Sequence, residues 1–306
     1  MKSNKLLFKN IIINPRHWPT LIALALAWVL AQLPVGALDL LGGAIGAGFY
    51  RFARKRRKII EINLQLCFPD WQTEKLEALV RENFRHTGLA LTDALVSLFR
   101  VRPLPTKRIS ARGLAHLERA LVSGHGAIVL GAHYLPLFIA GRALCERLGR
   151  PLHQLVRRNG NACLEWAIDW GRRRHCGATI GKKQTGDLLR SLRSGNAVCI
   201  APDQDFNYGM AFVPFFGQPA ATVTITSKLA GLSGAQVLPM HFYRDEKGVL
   251  NLEVGEPLSN FPSADPVADT ARWMALVEAA VRAHPEQYLW AHRRFKTRPE
   301  GFASVY

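Results

Sequence analysis

The first strong pattern along the chain is a continuous apolar run. Leu21–Leu38, LIALALAWVLAQLPVGAL, holds 18 residues with no charge and a single Gln. That length meets the lower limit for a helix crossing a bilayer, so the pattern predicts a membrane-spanning anchor. The run is longer than the apolar region of a signal peptide, although the small residues Ala31 and Ala37 leave that alternative open. A second apolar stretch, Leu40–Tyr50, follows Asp39 and is rich in glycine, as expected of a segment lying against the first helix or in the interface. Helical spacing resumes at Asn63–Cys67, turns at Phe68-Pro69-Asp70, and continues through Thr73–Thr87 and Leu89–Phe99 until Pro103 and Pro105 break it.

Beyond the prolines, short apolar runs alternate with helical ones. Strands are predicted at Ala127–Gly131, Leu152–Arg157, Ala197–Ala201, Gln236–Tyr243 and Val249–Val254. Helices are predicted at Leu114–Leu121, Leu135–Leu148, Ala162–Arg174, Asp187–Arg193, Thr224–Leu232 and Asp265–His284. Alternation of this kind predicts an α/β fold, a mixed and mainly parallel sheet covered by helices on both faces. The chain then divides into a membrane anchor with a basic juxtamembrane segment (1–58), a helical region (59–105) and an α/β domain (106–306).

Charge sharpens this picture. The 306 residues carry 40 Lys and Arg against 23 Asp and Glu, a net +17, which implies an anionic partner: nucleic acid, an anionic membrane surface or a phosphorylated substrate. The basic residues flank the apolar run, with Lys2, Lys5, Lys9 and Arg16 before it and Arg51, Arg54, Lys55, Arg56, Arg57 and Lys58 after it. The denser second group favours a cytoplasmic body held against anionic headgroups. Nothing matches a nucleic-acid motif, so that class of partner is excluded. Five cysteines, odd in number and without a Cys-x-x-Cys pair, argue against a disulfide framework or a zinc site.

Candidate chemistry collects at predicted strand ends, where α/β sheets place their ligands. His133 follows Ala127–Gly131 and stands on a strand-to-helix turn, suited to general base work near neutral pH. Arg157, Arg158 and Asn159 end a second strand, a position suited to phosphate or carboxylate recognition. Asp203 and Asp205 end a third, and Pro202-Asp203 is also good turn chemistry. A basic, aromatic-flanked run from Trp290 to Arg298 includes His292; it reads either as an anion site or as a basic tail. No Gly-x-Ser-x-Gly elbow is present, which excludes a serine esterase of that type.

Taken together, RKRRKIIEINLQLCFPD, LVRENFRHTGLALTD, VLGAHYLPLFIAGR, LVRRNGNACLEW, IAPDQDFNYGMAFVPFFGQPAAT and PEQYLWAHRRFKTRPEG resemble the late lipid A acyltransferases of the lysophospholipid-acyltransferase superfamily. The resemblance runs nearly the whole length. It implies a glycerolphosphate-acyltransferase-like fold at the bacterial inner membrane, with its site facing the cytoplasm. It also implies acyl carrier protein as the donor of an acyl thioester, a hydroxyl of a Kdo-bearing lipid A precursor as acceptor, and no metal or nucleotide cofactor. His133 fits the histidine of the family's His-x-x-x-x-Asp/Glu motif, Arg157 an arginine in a YRP-like segment, and Asp203 the first acid of PDxD. Phe138 stands where the motif has its acid. Two readings follow: Asp203, Asp205 or the more distant Glu146 replaces that acid, or the chain is a lipid-binding paralogue with impaired catalysis.

Overall fold

The apolar run at the N-terminus does not form one helix. The computed structural model describes residues 14–156, 160–181, 184–206 and 209–306, and it divides the run between α1 (Trp18–Leu30) and α2 (Val35–Phe52). Pro34 caps α2, and proline disfavours helical backbone at the residue before it, so the chain turns between the two helices. Gln32, the one polar residue of the run, fastens the break. Its amide nitrogen donates to the carbonyls of Trp28 at 2.8 Å and Phe99 at 3.1 Å, and its oxygen accepts from the Val101 amide at 3.2 Å. The 13 residues of α1 reach about 20 Å, short of the roughly 30 Å hydrocarbon core of a bilayer. Among the described residues no helix is long and apolar enough to cross a membrane. The single spanning anchor expected over Leu21–Leu38 is therefore replaced by a helix, a turn and a second helix.

Two further helices follow, α3 (Arg54–Cys67) and α4 (Thr73–Phe99). The glycine-rich α2 seats on α4 rather than on α1. A Cβ at Gly46 would collide with the backbone of Phe84, and one at Gly88 would collide with the Gly42 carbonyl, so only glycine allows this approach. Asp39 on α2 pairs with Arg108 at 2.8 Å, tying the helical layer to the sheet domain.

The sheet domain runs β1 (Ile109–Arg112), α5 (Leu114–Val122), β2 (Ala127–Leu130), α6 (Leu137–Leu148), β3 (His153–Val156), α7 (Ala162–Arg173), β4 (Thr179–Gly181), α8 (Thr185–Arg193) and β5 (Ala197–Ile200). A hairpin of β6 (Met210–Phe215) and β7 (Gln218–Val223) comes next, then α9 (Ile225–Ser233), β8 (Gln236–Arg244), β9 (Leu250–Val254) and α10 (Pro266–Ala283). Seven strands form one sheet in the order β1-β9-β8-β2-β5-β3-β4, parallel throughout except between β8 and β9. This is the mixed, mainly parallel sheet that the alternating pattern predicts.

β2 sits near the centre with all four residues buried, as its unbroken apolar run requires of a strand covered on both faces. Its register against β5 pairs Ala127 with Ala197 and Leu130 with Ile200, so the two strands end level with each other. The hairpin closes on Phe216-Gly217, both at positive φ (53° and 72°), the backbone of a tight two-residue turn. One continuous apolar core joins Leu38 and Ile60 of the helical layer to the strands and to Trp290 and Phe295 near the C-terminus.

Candidate active site

Two residues seventy positions apart meet at the level ends of β2 and β5. The His133 imidazole Nδ1 lies 2.6 Å from Asp203 Oδ1, and the His133 amide donates to Oδ2 of the same carboxylate at 3.0 Å. Tyr288 donates its hydroxyl to Oδ2 at 2.9 Å. Asp203 is fully buried, whereas a quarter of the His133 side chain remains exposed. An ionised carboxylate only accepts, so Nδ1 carries the proton and Nε2 keeps a lone pair for an incoming group.

The electrostatics reinforce this assignment. Burial would raise the pKa of Asp203, but the charge of His133, the hydrogen bonds from its ring and amide, and Arg294 outweigh burial and hold it at about 2. Burial acts on His133 in the opposite sense, disfavouring the imidazolium. The adjacent Asp203 charge and hydrogen bond prevail, and the histidine is raised above its ordinary value. Asp203 is thus ionised across the neutral range, and His133 is a stronger base than a free histidine.

The remaining walls come from the C-terminal segment. Leu135 donates its amide to the Gln287 carbonyl at 2.7 Å and Leu289 donates to the His133 carbonyl at 3.0 Å, so residues 287–289 pair with the histidine turn. Arg294 is only 1% exposed and donates to the Ala221 carbonyl at 2.6 Å and to Thr222 Oγ1 at 2.5 Å. The run from Trp290 to Arg298 is therefore no solvated tail: Trp290, Arg294 and Phe295 are buried beside the pair. The His292 ring accepts the Asp205 amide at Nε2, 3.1 Å away, and burial together with Arg294 pulls its pKa down to about 4. Asp205 gives both carboxylate oxygens to Thr297, to its amide at 2.7 Å and its hydroxyl at 2.8 Å. Its observed partner is thus this segment and not an open ligand space. Arg157, Arg158 and Asn159 lie outside the described residues.

Phe138 and Glu146 are placed apart from the pair's hydrogen bonds. Phe138 is the second residue of α6; its ring is partly exposed and lies under the Arg172 guanidinium at 5.5 Å. Glu146, at the far end of α6, accepts from Arg142 Nε at 2.7 Å and from the Leu104 amide at 2.9 Å. Of the three carboxylates that sequence offers in place of the acid missing at 138, Asp203 alone is hydrogen-bonded to His133. We expect Phe138→Glu to form an ion pair with Arg172 and to change turnover by no more than about threefold, since Nδ1 of His133 is already occupied. A tenfold or larger gain in a turnover assay would mean that Asp203 does not stand in for the motif acid.

The class is a mainly parallel α/β sheet whose rim carries a buried carboxylate hydrogen-bonded to a partly exposed imidazole. The chain belongs to the bacterial lipid A biosynthesis acyltransferases, the family whose model matches residues 7–297. It is 36% identical over 303 residues to the lipid A biosynthesis palmitoleoyltransferase of Escherichia coli K12, covering 98% of each chain. It is 33% identical over 306 residues to the lauroyltransferase of the same strain, again covering 98% of each. With that strain's myristoyltransferase the identity is 27% over 300 residues, 96% of this chain and 91% of the other. The protein is an acyltransferase of lipid A biosynthesis, acting on a lipid A precursor and an acyl donor.

Proposed function

We propose that the enzyme moves a fatty acyl chain from acyl carrier protein to a hydroxyl of a Kdo-bearing lipid A precursor, with His133 as general base. The observation that carries this reading is the 2.6 Å contact between His133 Nδ1 and Asp203 Oδ1. His133 Nε2 takes the acceptor's hydroxyl proton as its oxygen attacks the thioester carbonyl. The tetrahedral intermediate then collapses, breaking the carbon–sulfur bond, and the imidazolium returns the proton to the departing sulfur. Asp203 stabilises the imidazolium, the role of the carboxylate in a catalytic triad. Arg157, Arg158 and Asn159, which follow β3 in the chain, are assigned to an acceptor phosphate or the developing oxyanion. Asp205 contributes indirectly, by holding Thr297 and the C-terminal segment.

The reaction also needs a lipid surface. Trp18, Ile22, Leu26 and Val29 lie at helical spacing on one exposed face of α1, and Arg51 in the last turn of α2 and Arg54, Lys55 and Lys58 just after it are exposed. This supports contact with an anionic bilayer, at the cytoplasmic face of the inner membrane, through a helix lying in the surface.

The test is transfer of a labelled acyl chain from acyl carrier protein to a Kdo-lipid A acceptor by purified protein. Wild-type turnover is expected, with His133→Ala lowering it by at least about 10³-fold. Unchanged turnover in His133→Ala removes the base from the mechanism. The departure at Phe138 supports a second reading, a lipid-binding paralogue without catalysis; lipid binding with no wild-type transfer would establish it.

A further inference from the structure

We propose that Asn63 and Asn83 are positioning residues that act on the reaction through the segment 286–292, holding Tyr288 on Asp203 and the histidine turn in place. The inference rests on the reading of His133 as the base.

The two asparagines come from different helices, α3 and α4, and both are buried, at 0% and 1% exposure. Each amide nitrogen bridges two carbonyls of the C-terminal segment. Asn83 Nδ2 donates to Glu286 at 2.9 Å and Tyr288 at 2.8 Å; Asn63 Nδ2 donates to Trp290 at 2.7 Å and His292 at 2.8 Å. The carbonyls of 286, 288, 290 and 292 are thus all taken by the helical layer. Of the residues between, the Gln287 carbonyl accepts from the Leu135 amide and the Leu289 amide donates to the His133 carbonyl. The segment is clamped on one side by the asparagines and grips the histidine turn on the other, while the Tyr288 side chain reaches Asp203.

Stability alone is a poor account of Asn83. Its Oδ1 is buried without a hydrogen-bond partner among the described residues, a costly arrangement that an apolar side chain would avoid. What an apolar side chain could not do is hold two carbonyls of the segment that carries Tyr288. Asn63 has its oxygen satisfied by the Tyr306 hydroxyl, which adds the chain's last residue to the clamp.

Among the described residues, Asp203, Arg294 and His292 act electrostatically on His133 and Tyr288 reaches Asp203; Tyr288 and His292 belong to the clamped segment and Arg294 follows it. Asp203 acts on the imidazole more strongly than Arg294 does. A loosened clamp lengthens the His133–Asp203 contact, and the pKa of His133 falls.

The experiment compares full-length wild type with Asn63→Ala, Asn83→Ala, Tyr288→Phe and the Asn83→Ala/Tyr288→Phe double variant. It measures kcat, KM for both substrates, the pH–rate profile, thermal melting and the His133 titration by NMR. Each asparagine variant is expected to lose about tenfold in kcat with KM changed less than about twofold. The acid limb and the NMR titration of His133 should both move down by about half a pH unit or more. The double variant should lose little more than Asn83→Ala alone, because that variant already displaces the Tyr288 hydroxyl. Multiplying losses with an unmoved His133 titration would overturn the proposal. So would failure of both asparagine variants to fold, which would make them residues of stability alone. A shifted titration in a protein whose wild type transfers no acyl chain would uphold the clamp and overturn the catalytic reading instead.

Discussion

Asp203→Asn is expected to lower turnover by about 10³–10⁴-fold while leaving the fold intact, the scale seen when a triad aspartate becomes its amide. The hydrogen bonds dictate how the amide must sit. The Oδ2 position receives two donors, the His133 amide at 3.0 Å and the Tyr288 hydroxyl at 2.9 Å, so it must be filled by the asparagine carbonyl. The NH2 group is then left facing His133 Nδ1, which has to accept. The ring proton moves to Nε2, where the substrate hydroxyl should be received, and the histidine becomes the wrong tautomer for a base. The pH dependence changes as well. The base must be neutral, so wild-type turnover rises with pH through the His133 pKa, which Asp203 raises above its ordinary value. Without that charge the acid limb of the variant moves to lower pH. Turnover within tenfold of wild type would remove Asp203 from the mechanism, and a small residual rate with an unmoved acid limb would remove it as the partner of His133.

The sequence offers Asp203 as one of three possible acid partners for His133, beside Asp205 and Glu146, and does not choose among them. His133 and Asp203 each follow a short apolar run, AIVL before His133 and AVCI before Asp203, and such runs end at the rim where ligands gather. Their pairing depends on β5 lying next to β2, and strand order is not written in local pattern. Tyr288, Asn63 and Asn83 lie in segments that carry the family resemblance, but nothing local marks their individual roles, because each one's partner lies far along the chain. The short strands β1 and β4, ISAR and TIG, escaped because three or four mixed residues show no period. The N-terminal run misled in a different way. A window average treats Gln32 and Pro34 as minor dilutions of eighteen apolar residues, whereas the backbone treats them as a helix stop and a fastening point. Hydropathy measured the greasiness of the segment correctly and missed its length as a helix.

Glu146 offers the sharpest contrast with Asp203, because the two carboxylates respond to opposite measurements. Arg142, 1% exposed, donates to the carbonyls of Val96 at 2.7 Å, Arg100 at 3.1 Å and Arg102 at 2.8 Å, joining α6 to the end of α4. Glu146 supplies its only ion-pair partner among the described residues and also receives the Leu104 amide. Removing Glu146 leaves the buried Arg142 charge with neutral carbonyl acceptors alone, so Glu146→Ala should cost about 3 kcal/mol of stability. In a protein of this size that lowers the melting temperature by on the order of 10 °C. Turnover per folded molecule at low temperature should stay close to wild type, since neither Glu146 oxygen is directed at the histidine. Asp203→Asn should show the reverse, a collapse in rate with little change in melting. If Glu146→Ala instead cut the rate about 10³-fold and melted normally, the acid of this enzyme would be Glu146, and Asp203 would merely scaffold the histidine turn.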